Sequence, residues 1–261
     1  MCVGKKVAAF LRQKLAKSLS TLVVVWMLTG ASFANEKYTA LGATGMAKND
    51  EVELFYRTIG DAQSPTILVV MGLGASHRLW PKDLIDGLLG AGYRVILFDN
   101  RDTGNSSRMV ELSRISLWWQ LLKWRVGMPV RSNYSLNDMA DDAVAVLNAN
   151  NIDQVHLVGA SMGGMIAQIV AYRYPERVLS LVSLMSTTGA RHLPKPSRDQ
   201  QQNLEDINES SEERAARWRN IGLYPSAIPN QITAVLNAGD RSAEVAKIHV
   251  PTLVQHGRDD P

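Results

Sequence analysis

The sequence predicts a single α/β domain, a mostly parallel sheet with helices on both faces. Three observations carry this. Strand-like runs alternate with helical patterns from residue 51 to residue 255. Runs such as Thr66-Ile67-Leu68-Val69-Val70-Met71 are apolar without a break, as strands covered on both faces must be. A glycine-flanked serine, Gly159-Ala160-Ser161-Met162-Gly163, stands where a strand pattern gives way to a helical one.

The first 34 residues read differently from the rest. They hold Lys5, Lys6, Arg12, Lys14 and Lys17 and no acid. An apolar block over 22–28 follows, then small residues at Ser32 and Ala34. A charged start, a short apolar block and a Ser-x-Ala site predict a secretory signal peptide cut after Ala34. The protein is then expected outside the cytoplasm, periplasmic or secreted, the alternative being an uncleaved membrane anchor. Of 28 basic residues five lie in this leader, leaving 23 against 25 acidic ones. A net-negative body argues against nucleic acid as the partner. The single cysteine, Cys2, excludes a disulfide framework and a cysteine-based metal site.

The elements follow in order. Residues 51–57 alternate as a strand, and 66–71 form a buried one. Residues 81–89 suit a helix with Pro81 in its first turn and Gly90 at its end. Residues 94–98 are a second buried strand. Ser135-Leu136-Asn137-Asp138 opens a helix with a capping-box pattern, its apolar stripe carried by Ala140, Ala143, Val144 and Leu147. A strand over 154–158, a helix over 162–174 and a strand over 178–185 come next. Residues 251–255 supply the last strand. In such a sheet the site is expected at the carboxyl ends of the strands.

That is where Ser161 falls. A sharp strand-to-helix turn holds it in a strained backbone conformation, with Gly159 and Gly163 small enough to let neighbouring chain approach. The turn lifts the hydroxyl above the sheet edge, and the Met162 N–H at the helix start faces the same space. At the end of an earlier strand, Met71-Gly72-Leu73-Gly74 lets the Leu73 N–H point at the same developing oxyanion. No dinucleotide fingerprint or metal cluster is present, so no cofactor is expected.

Three stretches carry a family resemblance: Val70-Met71-Gly72-Leu73-Gly74-Ala75-Ser76, the loop from Phe98 through Asp99-Asn100-Arg101-Asp102 to Ser107, and Val158-Gly159-Ala160-Ser161-Met162-Gly163-Gly164-Met165-Ile166-Ala167-Gln168. The chain resembles the α/β-hydrolase superfamily, and within it the esterase branch containing aclacinomycin methylesterase. The resemblance implies a serine hydrolase of carboxylic esters working through an acyl-enzyme on Ser161. Other chemistries of the same fold stay open: aminopeptidase, C–C bond hydrolase, acyltransferase, perhydrolase. So does a non-catalytic binding protein. The family's acid lies in a Gly-x-x-Asp turn, and counting three on from Gly257 selects Asp260. The base should be a histidine after one further strand. His77, His156, His192, His249 and His256 all precede Asp260, and none occupies that place. A C-terminal strand and helix are therefore expected to be missing, and the 261-residue chain is expected to be inactive.

The Asp99 loop is expected to be structural. The segment 115–126, apolar on nearly all sides, reads as a pocket wall, as a helix touching lipid, or as plain packing. Trp118, Trp119 and Met165 are the candidates to line a substrate pocket. Residues 189–245 fall where the family inserts a helical cap. The expected partner is a small-molecule ester; the sequence leaves the oligomeric state open.

Overall fold

A computed structural model describes residues 42–109, 116–190 and 211–256. The expected leader (1–34), the turn carrying Asp260, and residues 191–210 of the expected cap, His192 among them, lie outside these residues.

The chain opens with a hairpin. Strands β1 (Ala43–Asn49) and β2 (Val52–Ile59) pair antiparallel across a turn at Asp50, whose φ is 50°. The alternation over 51–57 predicts β2, but β1 has no comparable pattern. Ala47 is its one buried residue, so backbone pairing rather than patterning makes this edge strand. The described strands form one sheet in the order β1-β2-β4-β3-β5-β6-β7. Here β3 is Thr66–Val70, β4 Arg94–Phe98, β5 Val155–Ala160, β6 Val178–Leu184 and β7 Thr252–Gln255. From β4 to β7 every pairing is parallel. Residues of β3 are buried throughout, as an unbroken apolar run requires.

The helices satisfy the expected patterns with small shifts at their ends. Helix α1 (Lys82–Gly90) takes Pro81 as its N-cap, and the chain reverses at Gly92, φ 86°, two residues later than expected. Helix α2 (Leu117–Arg125) follows the Asp99 loop. Helix α3 (Leu136–Ala149) begins in a complete capping box: Ser135 Oγ accepts the Asp138 N–H while the Asp138 carboxylate accepts the Ser135 N–H. Ala140, Ala143 and Leu147 are fully buried, and Val144 half-buried. Helix α4 (Met162–Arg173) is buried from Met162 through Ala171 because it lies between the sheet and α3. An all-apolar helix needs such a place.

Three helices fall within the stretch expected as a cap: α5 (Ser211–Asn220), α6 (Ile228–Ala238) and α7 (Ser242–Val245). Backbone carbonyls fasten them over the sheet end. Ile221 O accepts Ser76 Oγ at 2.6 Å, and Gly222 O accepts the Gly104 N–H at 2.8 Å. Among the described residues no helix is long and apolar enough to cross a membrane.

Candidate active site

Ser161 sits between β5 and α4 with φ 54° and ψ −121°, a conformation costing a non-glycine residue about 1–3 kcal/mol. Hydrogen bonds at both ends hold it there. Its N–H donates to Leu184 O at 2.9 Å, and its carbonyl accepts Gly164 N–H, Met165 N–H and Ser186 Oγ. Glycines make the turn possible. A Cβ on Gly163 would lie 2.6 Å from the Val70 carbonyl carbon, and one on Gly159 would lie 2.7 Å from Gly164 Cα. Real side chains cannot fit in either place.

The loop after β3 passes beside this serine. A Cβ on Gly72 would stand 3.7 Å from Ser161 Oγ. Leu73 and Met162, the two residues whose N–H groups were expected to face the oxyanion, are both buried here. Met162 is the first residue of α4, so its N–H has no partner from a preceding helical turn. The N–H of Gly74 is already taken, donating to Gln231 Oε1 at 2.6 Å. Met165, in the first turn of α4, is also buried.

The Asp99 loop is a buried scaffold. Asp99 accepts the His77 N–H at 2.7 Å, pairs with His77 Nδ1 at 2.8 Å, and accepts the Asn105 N–H on its other oxygen. Arg101 forks onto Asp142 of α3 at 2.6 and 2.7 Å. Burial opposes the Arg101 charge, but Asp142 more than offsets it and holds the guanidinium above its ordinary pKa. Asp102, at φ 69°, accepts Tyr134 OH at 2.8 Å, Asn230 Nδ2 at 2.9 Å and the Met109 N–H. Burial nonetheless pushes its carboxyl above the usual aspartate range. Burial, then the adjacent Asp102 carboxylate, pushes the Tyr134 phenol up.

Two histidines have clear structural tasks. His77 is buried, bound to Asp99 and stacked 5.2 Å from the Phe55 ring on β2, three strands from β5. His156 lies near the start of β5, bonded to Ser180 Oγ; five extended residues, roughly 17 Å, separate it from Ser161. His256 follows β7 and is exposed. Asp260 lies outside the described residues. Gln255 of β7 is paired with Leu184, the residue whose carbonyl receives the Ser161 N–H. In α2, Trp118 is half-buried and Trp119 exposed. Among the described residues no group of three or more His, Cys, Asp or Glu could hold a metal ion.

Sequence reasoning missed Gln231, Asn230 and Ser186. Each is a polar residue in an otherwise unremarkable segment, and no local pattern marks its partner.

Residues 65–220 match the family described as alpha/beta hydrolase fold. The chain belongs to that family. It is 29% identical over 266 residues to rhodomycin D methylesterase DauP of Streptomyces sp. (strain C5), covering 84% of this chain and 83% of the relative. It is 33% identical over 142 residues to rhodomycin D methylesterase DnrP of Streptomyces peucetius, covering 54% of this chain and 42% of that one. The crystal structure of a hydrolase from Pseudomonas aeruginosa PA01 superposes with a TM-score of 0.59 at 21% identity, covering 82% of this chain and 79% of that one. Membership of the α/β-hydrolase family, with methylesterases among the relatives, supports a hydrolase.

Proposed function

We propose that this hydrolase cleaves carboxylic esters through an acyl-enzyme on Ser161. One observation carries the reading. Ser161 is held at φ 54° between a strand and a helix, with the glycine loop after β3 against it. Such strain is retained where the fold over-determines it, and here it presents a hydroxyl beside two buried N–H-bearing residues, Leu73 and Met162. The hydroxyl oxygen attacks the ester carbonyl, and a base takes its proton. The two N–H groups hold the oxyanion, and the alcohol departs with that proton. Water then attacks the acyl-enzyme, releasing the acid and restoring Ser161. His77 and His156 are committed elsewhere, so neither is the base in this scheme. Asp260 is proposed to orient the base. The similarity to methylesterases supports an ester as substrate. Export through the leader at 1–34 belongs to the same proposal, supported by its cationic start and apolar block.

The test is labelling of the full-length protein with a fluorophosphonate, read by peptide mass. Modification is expected at Ser161, and Ser161→Ala should lower ester turnover by on the order of 10⁴-fold or more. Undiminished turnover of short p-nitrophenyl esters by Ser161→Ala would overturn the assignment.

A further inference from the structure

Of the eight exposed large apolar side chains among the described residues, four fall in one short stretch, the others being Met46, Leu179, Leu253 and Val254. Trp119 (49% exposed), Trp124 (45%), Val126 (62%) and Met128 (52%) all lie in α2 or the three residues after it. The inner side of α2 is occupied by Gln120 and Leu121, which are buried, and the helix rests on α6. Gln120 Oε1 accepts the Arg131 N–H, which folds the following chain back along the helix. Opposite these two stand Trp119 and Lys123, while Trp124, four on from Gln120 and three on from Leu121, lies at the end of the packed side.

Charge makes the patch more specific. From residue 112 to residue 137 there is no acidic side chain, while Arg114, Lys123, Arg125 and Arg131 are present. Arg125 and Arg131 are exposed and Lys123 is half-buried. Trp119 opposite the packed side of α2, with Val126, Met128 and a cationic fringe in and just after the helix, matches the chemistry of a bilayer surface. Indole rings settle at the headgroup level, and cations pair with lipid phosphates. A protein partner would need acidic groups facing this fringe with shape complementarity to the rings. An anionic bilayer supplies that negative charge in its headgroups and needs no fixed shape, since its headgroups and acyl chains adapt.

We propose that the outer face of α2, with Val126 and Met128, docks onto an anionic lipid surface. The inference is independent of the chemistry assigned to Ser161. Because α2 rests on α6, and Gln231 of α6 bonds the loop beside Ser161, docking would bring the candidate site close to the lipid.

The leader could bind vesicles by itself, so the test reads one position rather than total binding. In full-length protein, Cys2→Ser is combined with Met128→Cys and the new thiol carries a nitroxide. A second protein carries the label at Asp61→Cys, an exposed position in the β2–β3 turn. With phosphatidylglycerol vesicles, the label at 128 should lose accessibility to a water-soluble relaxation agent several-fold, and the label at 61 should not. Phosphatidylcholine vesicles should leave both unchanged. The triple variant Lys123→Gln, Arg125→Gln, Arg131→Gln should need roughly 100-fold more anionic lipid for the same protection. Ser161→Ala should behave as wild type in this assay. Unchanged accessibility at 128 on phosphatidylglycerol vesicles overturns the proposal. Protection that develops with protein concentration and no lipid also overturns it, since a second copy would then be the occupant. Equal protection in the triple variant overturns it as well.

Discussion

The Gly74 N–H donates to the side-chain oxygen of Gln231, 157 residues away, at 2.6 Å, and both residues are buried. Gln231 Nε2 donates in turn to the Arg101 carbonyl at 2.9 Å. One amide on α6 therefore clamps two loops, one of which contributes the residues beside Ser161.

Gln231→Ala is expected to free the Gly72–Gly74 loop more than it destabilises the fold. Losing a buried hydrogen-bond partner costs about 1–3 kcal/mol. If half of that falls on loop placement, ester turnover should drop about 2- to 13-fold with little change in KM. Comparing kcat and KM in Gln231→Ala and Gln231→Glu checks it. A stability loss without any change in kcat would make Gln231 a structural clamp only.

Gly163→Ala should not fold. The added methyl would press into the Val70 and Met71 carbonyls, which are backbone and cannot turn aside. Gly87→Ala is the control, since a Cβ there meets nothing within 4 Å. In the α1 interior that change should stabilise by up to about 1 kcal/mol. Circular dichroism should show no cooperative thermal melt for Gly163→Ala and a raised midpoint for Gly87→Ala.

Arg101→Met should be strongly destabilising, by about 3–5 kcal/mol, because it strands the Asp142 carboxylate in the interior. Asn49 Nδ2 would remain as a neutral partner at 2.8 Å, too little to replace a forked guanidinium. Arg101→Met paired with Asp142→Leu should recover much of the loss. Urea midpoints of the single and double variants measure the recovery.

Asp102 sets a pH dependence of definite sign. Its folded-state pKa lies above the ordinary aspartate value, chiefly through burial. The folded state thus holds this proton more tightly than the unfolded chain does. Its contribution favours folding fully below the unfolded aspartate pKa and is lost as pH rises through the raised folded value. Asp102→Asn removes this dependence, but it also places an amide among the Tyr134, Asn230 and Met109 donors. Urea midpoints against pH should lie lower for the variant and lack the wild-type curvature in the mildly acidic range.

Export should leave Asn35 as the first residue of the mature protein. N-terminal sequencing of the exported form decides it. A membrane-bound form beginning at Met1 or Cys2 would favour the uncleaved anchor.

The order of elements and the position of Ser161 are legible in the sequence because both depend on local rules. Period-two and unbroken apolar runs specify strands, a Ser-x-x-Asp box starts α3, and a glycine-bracketed serine at a strand end can form only a sharp turn. Element ends shifted by a residue or two, as at Pro81 and Gly90, since terminal residues are decided by caps rather than by periodicity. Strand β1 escaped notice because an edge strand owes its existence to pairing with β2, not to its own pattern. The clamp at Gln231, the Asp102–Tyr134–Asn230 cluster and the Arg101–Asp142 fork were invisible for a related reason. A buried polar side chain must find a partner, but the partner lies 32 to 157 positions away and nothing in the chain order marks it. Local sequence determined which segments fold and where Ser161 stands. Only the packing of distant segments decided which polar groups hold the Asp99 loop and the glycine loop in place around it.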